Sequence, residues 1–347
     1  MARRKTKAGR KIMPLNIEAP DELLHYLRST GRVGPADAPR MTALHGGVSN
    51  RTVLVEHEDG SAWVLKQALP RLRVEVEWFG DLARTQREAA GLRWLSRMMP
   101  GAVPDYIFED PAEHLLAMSA VPQPHVNWKE HLLAGGLEQG HVAEFARLLA
   151  RIHRLGNDHI EEVATTFANR NSLESLRLEP YYLYTASVVA PAAPFLKALT
   201  AETRALRIGL THGDYSPKNV LLHHEQLVLL DHEVMHFGDP SLDVGFALSH
   251  LLSKAHFVAA QRGEFAAAAQ LFWREYRRDN QTSADERLET RAARHTLACV
   301  LARAAGRSPL EYMNLDQRRH QVDTVLPLIL DPPATPEELV PRFCERL

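Results

Sequence analysis

Short apolar runs broken by turn residues occupy the stretch from Met41 to Met118. Val53 and Val55 open one run, Glu58-Asp59-Gly60 supplies turn chemistry, and residues 62–66 resume it, a pattern that predicts a β-hairpin. At Asp81 the period lengthens. Leu82, Thr85, Ala89, Leu92 and Leu95 recur at helical spacing, Asp81 is suited to cap them, and Pro100-Gly101 stops the helix after about Met98. Two further strands are expected near residues 106–109 and 114–118.

Val121-Pro122-Gln123-Pro124 interrupts this regularity and marks a lobe junction. Beyond it the pattern is mostly helical, most clearly over 141–155, where Ala143, Phe145, Leu148, Leu149 and Ile152 mark one face. Residues 160–193 read as irregular and aromatic-rich, and the chain is helical again from Leu242. The expected organisation is a tail and leading segment over 1–40, a β-rich lobe over 41–121 and a mainly α lobe over 122–347. This is an α+β architecture, and 347 residues exceed what one hydrophobic core comfortably organises.

Composition adds mostly exclusions. Lys plus Arg number 41 and Asp plus Glu 43, so no global charge favours nucleic acid or an anionic membrane. The two cysteines, Cys299 and Cys344, make no disulfide framework or cysteine zinc site, which fits a reducing cytoplasm. No apolar run is long enough to span a bilayer. The basic residues before Ile12 read as a solvated tail. The 18 histidines show no zinc-ligand spacing beside a placed carboxylate and are expected at turns and on the surface. No G-x-S-x-G elbow points to a serine nucleophile.

The stretch with most chemistry begins at Thr211-His212-Gly213-Asp214 and continues Tyr215-Ser216-Pro217-Lys218-Asn219. Apolar residues 220–222, a turn at His223-His224-Glu225 and apolar residues 227–230 follow, ending at Asp231. A loop and hairpin of this kind can hold Asp214 and Asn219 at one end and return Asp231 beside them. Mg²⁺ takes oxygen ligands such as the Asn219 carbonyl and the Asp231 carboxylate, which leaves Asp214 free to accept a hydroxyl proton.

These motifs, HGD-x4-N, then Asp231-His232-Glu233, then Gly238-Asp239-Pro240 and Asp243, resemble the catalytic and metal loops of the aminoglycoside phosphotransferase and choline kinase superfamily of protein-kinase-like small-molecule kinases. The resemblance implies a bilobal kinase-like fold that uses ATP and Mg²⁺. It makes Asp214 the catalytic base, Asn219 and Asp231 the metal ligands, Asp243 a brace for the loop and His212 scaffold. Kinase-type transfer also needs a phosphate-covering loop, a strand lysine and a helix glutamate to orient it. The candidates in order are Gly46, Gly47 and Ser49, then Lys66, then Glu88. At the lobe junction the resemblance assigns Met118 to the back of the adenine pocket and the backbone of Ser119 and Val121 to the base.

Residues 66–74, Glu77-Trp78 and Asp231-His232-Glu233 are similar to the methylthioribose kinase branch, whereas Asn219 stands where that branch carries Ser. The expected activity is transfer of the γ-phosphoryl of ATP to a hydroxyl of a sugar-like, amino-alcohol or hydroxy-acid acceptor, with no nucleic-acid or membrane partner. An aminoglycoside-modifying enzyme, a silent nucleotide-binding pseudokinase and nucleotidyl transfer to protein are the competing readings. Acidic and basic residues nearly balance after Phe246, which gives no strongly anionic pocket for a polycationic acceptor. Glu233 is open to a second Mg²⁺, the acceptor or a structural ion pair, and oligomeric state stays open.

Overall fold

The computed structural model describes residues 15–44, 49–71, 73, 81–280, 285 and 287–347. Helix α1 (Pro20–Ser29) precedes a β-rich unit of β1 (Arg40–Ala43), β2 (Asn50–Glu56), β3 (Ala62–Ala68), α2 (Arg84–Met98), β4 (Tyr106–Asp110) and β5 (Leu115–Ser119). The five strands form one antiparallel sheet in the order β1-β2-β3-β5-β4. The hairpin between β2 and β3 turns at Gly60, whose φ of +84° is open to a residue without Cβ.

Alternation along the strands separates the two faces of this sheet. Val53, Val55, Leu65, Leu115 and Ala117 pack outward against Leu23 and Leu27 of α1 in a small core of their own. Tyr26 Oη donates to Asp110 at 2.7 Å and ties α1 to β4. The leading segment therefore supplies the helix that covers the outer face of the β-rich lobe. On the inner face, Leu116 and Met118 join Ala89, Leu92 and Leu95 of α2 in the main core. Lys66 lies one position along from Leu65 and so faces inward, paired in register with Thr52 and Leu116.

The rest of the chain is mainly helical, around Gln139–Asp158, Ser241–Phe257, Arg262–Asp279 and Leu288–Ala305. Residues expected to be irregular are helical instead. Ile160–Thr166 leads to Glu174–Leu183, a wide, π-type helical segment with Pro180 inside it, and then Tyr184–Val188. Proline and the wide turn blur the 3.6-residue period, which explains why no pattern marks this segment. The histidines also depart from expectation: His153, His212, His232, His236, His250 and His295 are buried. Among the described residues no helix is long and apolar enough to cross a membrane.

Two small sheets shape the centre of the helical lobe. Gly209–Thr211 pairs with His236–Gly238, and Val220–His223 pairs with Gln226–Leu229. Tyr215 anchors the loop between them to the bundle: its ring stacks on Phe145 at 4.3 Å, and its hydroxyl donates to the Phe145 carbonyl at 2.7 Å.

Candidate active site

Lys66 and Glu88 reach the site from different elements, the inner face of β3 and the second turn of α2. Lys66 Nζ lies 2.5 Å from Glu88 Oε1 and 3.6 Å from Asp231 Oδ1. Burial alone would depress the ammonium, but the Asp231 and Glu88 carboxylates outweigh it and raise Lys66 above its ordinary value. The lysine is therefore cationic at neutral pH and faces the space between the lobes. That space is close because Gly91, on the same face of α2 as Glu88, lies against the segment after Asp231. A Cβ on Gly91 would sit 2.6 Å from Met235 Sδ and 2.8 Å from His232 Cβ.

Asp214 and Asn219 share one loop, and the short helical turn Pro217–Asn219 folds the amide back. Asn219 Nδ2 donates to the Asp214 carbonyl at 3.0 Å and to Asp214 Oδ2 at 2.7 Å. The Leu230 amide donates to the Asn219 carbonyl at 2.8 Å, which brings the far end of the hairpin back to the loop. Asp231 then takes φ +66°, a left-handed conformation that a short polar side chain tolerates. Burial opposes its ionisation, yet Lys66, with Lys218, holds its carboxyl below the usual range.

The loop is braced from beneath. Asp243 Oδ2 accepts from the His212 amide at 2.6 Å, and its Oδ1 accepts from the Gly213 amide at 2.7 Å. His153 Nε2 donates to the same carboxylate at 3.0 Å, while His153 Nδ1 meets Tyr276 Oη at 2.9 Å. Despite its burial Asp243 is held below the ordinary carboxylate range, His153 being the largest stabiliser. His212 does not face outward. Its Nδ1 accepts from the Asp214 amide at 3.3 Å, so Nε2 carries the proton toward His232 Nδ1 at 3.2 Å. Burial lowers the pKa of both imidazoles, which keeps them neutral.

Sequence reasoning missed two arginines. Arg177, from the π-type segment, places Nη2 2.6 Å from Asp214 Oδ1 and donates from Nε to the Gly213 carbonyl at 2.6 Å. Arg84, at the start of α2, lies with Nε 3.3 Å from Glu233 Oε2 and donates to the Leu69 carbonyl at 2.8 Å and to the Ser49 carbonyl. Arg84 thereby joins the end of the phosphate-loop candidate, the end of β3 and the acidic triplet. Asp81, expected to cap this helix, does not: it accepts from the Ala83 amide at 2.9 Å, and the helix starts at Arg84 behind Ala83 with no side-chain cap. Nothing in the local pattern marks either arginine.

Carboxylate oxygens of Glu88, Asp231 and Glu233 all lie within 4.8 Å of one another. Asp231 Oδ1 is buried without a hydrogen-bond partner among the described residues. Burial, reinforced by Asp231 and Glu88, pushes Glu233 up to about 7. A buried group of hard oxygen donors that repel one another suits a Mg²⁺ ion. Glu233 thus pairs with Arg84 and lies within the carboxylate group.

At the lobe junction Met118 is buried opposite Val64. The Ser119 amide donates to the Asp105 carbonyl at 2.9 Å, so its contribution to a base would be its carbonyl oxygen. Val121 follows in the extended segment leading to the helical lobe. Gly46 and Gly47 lie outside the described residues, while Ser49 stands at their exit beside Arg84.

A family model described as Phosphotransferase enzyme family matches residues 40–286. Methylthioribose kinase 1 of Oryza sativa subsp. japonica is 27% identical over 267 residues, covering 66% of this chain and 61% of that protein. Methylthioribose kinase of Pectobacterium carotovorum subsp. carotovorum (strain PC1) is 25% identical over 259 residues, covering 67% and 64%. The chain thus spans less than two thirds of the length of these relatives. Among solved structures, amicoumacin kinase hAmiN aligns with TM-score 0.54 at 16% identity, over 90% of this chain and 95% of that chain. Macrolide 2'-phosphotransferase MphH from Brachybacterium faecium aligns with TM-score 0.52 at 18% identity, over 90% and 99%. At these identities the structural likeness speaks for the fold.

Proposed function

The chain belongs to the phosphotransferase enzyme family, and from that premise we propose that it transfers the γ-phosphoryl group of ATP to a hydroxyl of a small sugar-like molecule. The observation that carries this reading is the convergence of Lys66, Glu88 and Asp231 from three separate elements, with Asp214 and Asn219 on the adjoining loop. A nucleotide-binding module without turnover has no chemical need for a carboxylate at Asp214 beside a complete lysine and metal set.

In this reading Lys66, held by Glu88, binds the α- and β-phosphate oxygens. Asn219 and Asp231 hold Mg²⁺, with Glu233 within reach. When bound, the ion supplies neutralisation of charge on the transferred group and the leaving oxygens. Asp214 accepts the hydroxyl proton as the acceptor oxygen approaches phosphorus, and Arg177 fixes the direction of that carboxylate. Ser49, Gly46 and Gly47 cover the phosphates, and Met118 with the Ser119 and Val121 backbone takes the adenine. Catalysis is then chiefly positioning and electrostatic stabilisation.

The relatives named methylthioribose kinases support a sugar-like acceptor, and the charge balance after Phe246 gives no support to a polycationic one. The test is ADP release with ATP and Mg²⁺ across methylthioribose, other sugars, amino alcohols, hydroxy acids, aminoglycosides and macrolides. Turnover should appear with a sugar-like acceptor and vanish in Asp214→Ala while ATP still raises the melting temperature. Undiminished turnover in that variant would defeat the assignment of the base. AMP transferred to protein in place of ADP release would replace this reading with nucleotidyl transfer.

A further inference from the structure

A second group of metal-ligating side chains lies away from the phosphoryl-transfer site. We infer that His131, Glu138 and His141 form a binding site for a divalent transition metal of the zinc type. His131 comes from the short helix Trp128–Leu133, Glu138 directly precedes the helix Gln139–Asp158, and His141 stands in that helix's first turn. Glu138 Oε1 lies 3.9 Å from His131 Nε2 and 4.0 Å from His141 Nδ1, and all three ligand atoms fall within 4.8 Å of one another. The spacing H-x6-E-x2-H matches no local zinc motif, because the turn after Leu133 rather than one helix face brings the groups together.

Three observations point to an ion rather than to an incidental cluster. Both facing nitrogens, His131 Nε2 and His141 Nδ1, are buried and have no hydrogen-bond partner among the described residues. The His141 side chain is only 5% exposed, so its orphaned lone pair has no ready supply of water. His141 Nε2 also lies 2.9 Å from Glu225 Oε2. An ionised carboxylate accepts only, so in the neutral ring Nε2 bears the proton and Nδ1 presents a lone pair to the cluster. This carboxylate-histidine arrangement behind a ligand is how metal-binding imidazoles are oriented and made more basic.

A Cβ on Gly136 would sit 2.3 Å from His131 Nε2, so the missing side chain is what lets the ring turn toward Glu138. Glu138 makes no capping hydrogen bond to its own helix, and its exposed carboxylate is free to swing inward. Two imidazoles and one carboxylate are typical zinc ligands and leave one position for water. The carboxylates of Glu138 and Glu225 offset the positive end of the helix that carries His141.

Glu225 belongs to the turn between Val220–His223 and Gln226–Leu229, the hairpin whose other end carries Asn219 and Asp231. A bound ion would therefore pin the outer end of that hairpin to the helices after the lobe junction. This inference is independent of the proposed kinase reading and stands or falls on metal binding alone.

The full chain, stripped of metal and kept in excess Mg²⁺ to hold the oxygen-ligand site, is titrated with Zn²⁺ by calorimetry, and with Co²⁺ by visible absorption. The expectation is one saturable Zn²⁺ per chain and a Co²⁺ spectrum of low-coordinate nitrogen ligation, both lost in Glu138→Gln and His131→Ala. These positions are exposed or half-buried, so the metal-free variants should keep the parent melting temperature. Glu225→Gln should weaken Zn²⁺ roughly 10–100-fold, because it acts through His141. Gly136→Ala should weaken it too, by displacing the His131 ring. Absence of saturable Zn²⁺ binding, or binding unchanged in Glu138→Gln and His131→Ala, would overturn the site. So would loss of the Zn²⁺ only in Asp231→Asn.

Discussion

The guanidinium of Arg177 lies 2.6 Å from the carboxylate of Asp214 and simultaneously holds the carbonyl of Gly213, so one buried cation sets both the backbone and the side chain of the loop. Arg177 also lies over the rings of Tyr181 and Phe246, at 5.4 and 5.3 Å, which confines it laterally. Although burial disfavours its charge, Asp214 draws the Arg177 pKa upward. The pair is thus a positioning device, made from a segment far in sequence from the loop it serves.

Arg177→Met keeps a long apolar stem against those rings but frees the Asp214 carboxylate to turn. The expected result is a fall in kcat of roughly a hundredfold, since small misplacements of reacting groups cost that much. ATP affinity should stay at the parent value. Steady-state kinetics and nucleotide titration check the split; an unaltered kcat would remove Arg177 from the positioning role.

Asp231→Asn keeps the shape of a residue suited to φ +66° and removes its charge. The variant should melt somewhat below the parent without ligands, because the pairing with Lys66 is weakened, and should lose the extra stabilisation that Mg²⁺ adds to bound ATP. Thermal melts with ATP, with and without Mg²⁺, measure this. If the Mg²⁺-dependent increment persists, the metal is held elsewhere.

Gly213 has φ +80°, and a Cβ there would sit 2.6 Å from Val234 Cγ1 and 2.8 Å from the Val234 carbonyl oxygen. Gly213→Ala should destabilise by about 1–3 kcal/mol through its conformation alone, with the clash added. Gly60→Ala is the control: φ is +84°, and nothing lies within 4 Å of its added Cβ. Denaturant unfolding should find Gly213→Ala clearly the worse of the two. Equal losses would mean that the backbone yields at Val234.

Lys254 is fully buried, its Nζ 3.5 Å from the His250 carbonyl and 5.6 Å from the Tyr312 ring. Burial, with Lys129 and Arg303 nearby, lowers its pKa to about 7. The unfolded chain holds that proton up to the ordinary lysine value, so between pH 7 and 10.5 the folded state binds fewer protons. Stability should therefore rise with pH across this window and fall back toward pH 7, by about 1.4 kcal/mol per pH unit at most. Lys254→Met should raise the melting temperature at pH 7 and abolish that component of the slope. Parallel pH profiles for the two proteins would refute the assignment.

Much of the small lobe and the hairpin from Val220 to Leu229 was legible in the chain itself. Short apolar runs on either side of Glu58-Asp59-Gly60 mark the β2–β3 hairpin and place Lys66 in its second strand, and helical spacing from Leu82 to Leu95 spans Glu88. The succession of loop, strand, turn and strand from Thr211 to Asp231 likewise states which residues return to one end. These are local properties, because a side chain's face is set by the period of its own element.

Partnership across elements was settled only by packing. Nothing near Arg177 marks it, since Pro180 and the wide helical turn erase the period, and its meaning comes from Asp214 on another element. Arg84 reads as an ordinary helix-start arginine until Glu233 is folded against it. Helix Pro20–Ser29 becomes part of the small lobe only because the outer face of the sheet needs a cover. His131 and His141 are brought to Glu138 by a reversal of the chain that no spacing rule encodes. Local pattern alone specifies the hairpins and the regularly spaced helices; the close approach of unlike elements, where burial makes each charge depend on its neighbour, decided which of their faces became sites.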